Sequence, residues 1–252
     1  MNLILFLILI GLLIYVCGKK TIKLIVQLAL NFFLLIIMFS LISLGLNALV
    51  ITILGLITIT YITIYLLDGD SIKTKSSIRS VFLVILILSF FIYGVTYLTR
   101  IYGFGIDSWE EINMFSYNIN CNMLDIEVSI ILIGLIGAII DSSISISSAL
   151  QEIYENNKKL TSKELYQSGL NIGKDILGTT VNTLLFAFIG ESLTLIFYLK
   201  TCQYSGLDLL NNKTLMEEII KILFSAIGCL GVIPLTSFVS AKLLKEGSQY
   251  ER

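Results

Sequence analysis

Long apolar runs separated by short polar stretches set the pattern of this chain. A membrane-crossing helix takes about 20 apolar residues, and the runs fit that length at about 3–17, 24–44, 48–67, 80–99, 128–150, 177–199 and 219–241. Residues 24–67 carry no charge and are long enough for two spans, cut near 43–47, where Gly45 and Asn47 supply a turn. The prediction is an all-α fold: a polytopic membrane helical bundle of about seven transmembrane helices forming one transmembrane domain over 1–252. Outer loops are expected at 100–127 and 200–218. Between the fifth and sixth spans, Thr161-x-x-Glu164 reads as a capping box. Leu165, Gly169, Ile172 and Ile176 follow on one helical face, so about 162–176 is expected to be an amphipathic helix on the inner membrane surface. It either couples the two spans or merely links them.

Composition agrees with this reading. Hydrophobic residues make up 56% and charged residues 14% of the chain, against about 25% charged in soluble domains. Mean hydropathy is +0.91. There is no histidine, which removes imidazole bases, imidazole proton relays and most zinc sites. Cys17, Cys121, Cys202 and Cys229 show no C-x-x-C spacing and are read as free thiols rather than metal ligands, although Cys121 and Cys202 share the expected outer side. Residues 3–17 are followed, not preceded, by Lys19 and Lys20, so they read as a retained helix rather than a signal peptide. Thirteen of the seventeen Lys and Arg residues fall in segments that are inside if the N-terminus is outside. The positive-inside rule then places the C-terminus in the cytoplasm. The loops offer no soluble domain, so any large outer module is expected from a partner.

Two carboxylates interrupt apolar spans, Asp141 and Glu191. Charges inside hydrocarbon are costly and usually face a protein interior or a water-filled path. Asp141, Ser145 and Ser148 share a helical stripe, with Ser142, Ser143 and Ser147 beside it. This run reads either as a polar lane for protons or as small residues that let helices approach. At a rise of ~1.5 Å per residue, Asp141 lies roughly 10 Å inside the inner boundary, Asn182 and Thr183 about 8–9 Å, and Thr236 about 9 Å. These four are expected to form one polar layer, with a backbone carbonyl freed by Pro234 near it. The other reading of the layer is a structural hydrogen-bond network. Glu191 lies about 21 Å from the inner end of its span; it reads as a second proton stop or as an interfacial residue. Gly169-x-x-x-Gly173-Lys174-Asp175 is one residue short of a phosphate loop and has Asp where Ser or Thr binds magnesium. No nucleotide, nucleic acid, metal or cofactor is expected, and no catalytic residues.

The segments 134–141, 145–157, 163–184, 190–193, 217–221 and 231–236 together resemble the YibE/F family of bacterial membrane proteins, over about 100 residues. The resemblance implies a short, YibF-like member of the bacterial cytoplasmic (inner) membrane, with a longer YibE-like chain or a second copy as partner. A fainter layout similarity links the last part to one half of a resistance-nodulation-division permease, SecF above all, and implies that Asp141 carries protons. The expected function is a permease-like subunit, proton-coupled, with a non-transporting scaffold or assembly factor as the alternative and an enzyme set aside.

Overall fold

The computed structural model describes residues 2–103, 122–201 and 205–250, and all regular structure in them is helical. In chain order these are α1 (Asn2–Cys17), a 3-10 turn (Gly18–Lys20), α2 (Thr21–Ser43), α3 (Ala48–Asp68), α4 (Ile72–Thr99), α5 (Met123–Asn156), α6 (Ser162–Thr201), the short α7 (Gly206–Leu210) and α8 (Lys213–Tyr250). Six of them, α2 to α6 and α8, are long and apolar enough to cross a membrane. The seventh expected span, α1, has 16 residues; at ~1.5 Å per residue it falls short of a ~30 Å hydrocarbon layer unless the layer thins around it.

Local chemistry explains the breaks between helices. Gly45 adopts φ 85°, a conformation closed to most side chains, and so turns the chain between α2 and α3. Asn47 then caps α3, its side chain accepting from the Val50 amide at 3.0 Å. Ser71 caps α4 in the same way through the Thr74 amide. The Thr161–Glu164 box forms: the Glu164 carboxylate accepts from the Thr161 amide at 2.7 Å, and the Thr161 hydroxyl accepts from the Glu164 amide at 3.3 Å.

Helix α6, however, runs unbroken for 40 residues. The helices expected separately at 162–176 and 177–199 are one element. No proline interrupts it, and the change from amphipathic to apolar composition marks a change of surroundings, not a helix end.

The core lies where α4, α5 and α8 pack pairwise, filled by fully buried Ile85, Ile92, Leu132, Leu135, Ile139 and Val232. The first half of α6 docks on α8 through Leu165, Gly169 and Gly173, a stripe of four-residue spacing. A Cβ on Gly173 would overlap Ile233, and one on Gly169 would press on Ser237. The Gly-x-x-x-Gly pair therefore serves helix contact. The second half of α6 is mostly exposed, and the hairpin of α2 and α3 joins the body chiefly through α3.

Candidate functional site

Helix α5 presents different chemistry on two faces, because successive residues step about 100° around the axis. Ser143 and Ser147 point into the core and are fully buried. The Ser143 hydroxyl bonds that of Thr236 on α8 at 3.0 Å, and the Ser147 hydroxyl bonds that of Ser77 on α4 at 2.6 Å. Ser77 also donates to the Ser143 carbonyl at 3.3 Å. Ser142 is buried beside them and hydrogen-bonds the Cys229 thiol. These hydroxyls pin three helices together.

The opposite face carries Asp141 and Ser145, both exposed, and the half-buried Ser148. Asp141 lines a cavity of about 330 Å³ between α5 and the α2–α3 hairpin. Two glycines on α5, Gly134 and Gly137, open it: a Cβ at either position would have no atom within 4 Å. Across from them, the Asn31 amide donates to the Thr63 hydroxyl at 3.0 Å, while its own carbonyl oxygen is buried with no hydrogen-bond partner. One turn earlier on α2, the Gln27 carbonyl oxygen is likewise buried and unpartnered. Buried acceptors without donors are costly, so the Asn31 side of this otherwise largely apolar groove suits water or a single N–H or O–H donor. Its volume has room for several waters.

The expected layer of Asp141, Asn182, Thr183 and Thr236 is therefore distributed over different surfaces. Thr236 belongs to the buried hydroxyl seam with Ser143. Asn182 and Thr183 lie on the exposed half of α6, where the Thr183 hydroxyl donates back to the Thr179 carbonyl at 2.9 Å. Glu191 is exposed on the same half, and Pro234 lies inside α8 on an exposed side. Cys17 and Cys229 are free thiols, whereas Cys121 and Cys202 lie outside the described residues, as does most of the expected loop 100–127. Among the described residues no group of three or more His, Cys, Asp or Glu side chains is placed to hold a metal ion.

Sequence reasoning missed Gln27, Asn31 and Thr63. Two amides spaced four apart inside an uncharged span were the available signal, since such residues usually face protein rather than lipid. A charged cluster at the far end of the bundle was missed as well. Lys221 bridges Glu217 at 2.8 Å and Glu218 at 3.0 Å, next to buried Glu127. Asn47 donates to the Asp125 carboxylate at 3.0 Å, tying α3 to α5, and the Lys213 ammonium donates to the Tyr102 carbonyl.

Six long apolar helices and a carboxylate-lined groove among them define a polytopic helical membrane protein. The chain belongs to the YibE/F-like family, whose model, described as YibE/F-like protein, matches residues 5–246. No curated protein and no solved structure matches it.

Proposed function

We propose that this chain is a permease-like subunit in which Asp141 takes up and releases a proton as a substrate crosses the membrane. One observation carries the reading: Asp141 opens onto a largely apolar groove that holds Asn31 and Thr63 on its far wall, while Ser143 and Ser147 beside it are locked into the core. A carboxylate with water-sized space and the unpartnered Asn31 acceptor in the same groove is suited to changing its protonation state, whereas a structural carboxylate would be held by donors. The groove carries no catalytic step in this reading.

We place the protein in a bacterial cytoplasmic membrane, as the family implies, with its N-terminus outside on the distribution of Lys and Arg, an orientation that requires α1 to cross a locally thinned layer. A YibE-like chain or a second copy is the partner we assign to the exposed half of α6. Asn182, Thr183 and Glu191 on that half would otherwise face lipid at high cost. That same exposed face favours the second reading, a scaffold or assembly factor without transport.

Asp141→Asn separates the two, because it keeps the shape and fixes the neutral state. In a strain lacking the gene, the variant should reach the membrane in normal amounts and fail to restore the wild-type phenotype. Full restoration would overturn proton carriage and leave the scaffold.

A further inference from the structure

The seam between α4 and α8 has a second feature, remote from Asp141. The two helices run antiparallel, and their outer edges part to leave two cavities in line. One, of about 370 Å³, lies between Arg79 and Phe82 on α4 and Phe238 and Lys242 on α8. The next, of about 300 Å³, lies between Ile87 and Phe91 on α4 and Ile227 and Gly231 on α8. The first is basic and the second is wholly apolar. From Arg79 to Phe91 is twelve residues of helix, about 18 Å. One leaflet of hydrocarbon is about 15 Å thick, half of the ~30 Å core.

We infer that this groove binds one anionic phospholipid, its phosphate on Arg79 and Lys242 and an acyl chain along the slot to Phe91. Three observations support that occupant. The Arg79 guanidinium makes no ion pair among the described residues, and guanidinium matches phosphate with paired, charge-assisted bonds. Lys242 is held only loosely, 3.8 Å from the Glu246 carboxylate, which also lines the basic cavity and leaves it one positive charge in excess. Basic pockets between helices at a membrane surface are where acidic headgroups bind. The slot beyond is lined by phenylalanine and branched aliphatic side chains with one glycine, whereas a docking helix calls for a row of small residues.

The test is native mass spectrometry of the full chain exchanged into an equimolar mixture of phosphatidylglycerol and phosphatidylcholine with identical acyl chains. One positive charge in excess at the membrane surface, at about 1 kcal/mol, should favour the acidic lipid by about fivefold. Arg79→Ala with Lys242→Ala should abolish that preference, and Arg79→Lys should keep part of it. Gly231→Phe fills the slot from a position where a Cβ meets nothing within 4 Å; it should release both lipids. Ile87→Trp does the same from the other wall, should Gly231→Phe not fold. Equal retention of the two lipids by the wild type would overturn the inference. So would an unchanged preference in the double alanine variant, or a polypeptide crosslinked at Ile87 in place of lipid.

Discussion

Ser143 and Ser147, on one face of α5, are fully buried and bonded to α8 and α4, whereas on the other face Asp141 opens onto a groove and Ser145 is exposed. The sequence shows a single serine-rich run. In the fold that run is divided by helical geometry: residues two apart are about 200° apart around the axis. One set stabilises the bundle, and the other is free for water or a ligand. Density of hydroxyls along a span thus says little about function until the direction of each is known.

The largest effects should come from testing how tightly the closed side is packed. Gly173→Leu drives a side chain into Ile233 and should destabilise by about 3 kcal/mol, the upper part of the usual range for overpacking. At Gly137, on the groove side, an added Cβ meets no neighbour, so Gly137→Ala should be neutral or stabilising by up to about 1 kcal/mol through helix propensity. Reversible unfolding in mixed detergent compares the two. A smaller contrast separates the serines. Ser143→Ala leaves the buried Thr236 hydroxyl without its partner and should cost about 1 kcal/mol, as interhelical hydrogen bonds in membranes do. Ser145→Ala should stay within about 0.5 kcal/mol, as exposed substitutions do. If both serines cost the same, the division of α5 into two faces fails.

The smallest effect is a control away from both faces. The Ser205 hydroxyl and amide donate to the Asp208 carboxylate at 2.6 and 2.9 Å and hold its pKa below the ordinary 3.8. A depressed folded-state pKa adds stability above the unfolded value, and that stability is lost as pH falls through the folded one. Amide protection in α7 should therefore be slightly lower in Asp208→Asn than in wild type at pH 7. The two should converge well below pH 3.8, with α5 unaffected throughout.

Much of the fold was legible in the apolar runs. The turn at Gly45–Asn47 and the Thr161–Glu164 box were marked by residues whose local chemistry has few alternatives. The continuity of α6 was not legible, because a switch in polarity at Leu177 looks like a boundary although nothing there breaks a helix. Depth counting put Thr236 and Asp141 in one layer. Depth fixes only one coordinate, however, and the rotation of α5 turned Ser143 toward Thr236 instead. Charge alone does not mark Asn31 and Thr63 within the uncharged run 24–67. Their meeting with Asp141 depends on how the α2–α3 hairpin docks, which no local pattern states.

The central claim is that water reaches one face of α5 and not the other. Single cysteines at 137, 141, 145 and at 139, 143, 147, in a chain whose four native cysteines are replaced, can be exposed in native membranes to a charged methanethiosulfonate reagent. This reagent reacts with thiols that ionise in water. Positions 137, 141 and 145 should label, and positions 139, 143 and 147 should stay silent until the protein is unfolded. Silence at 141 and 145 with label at 143 and 147, or equal labelling of both sets, would contradict the account.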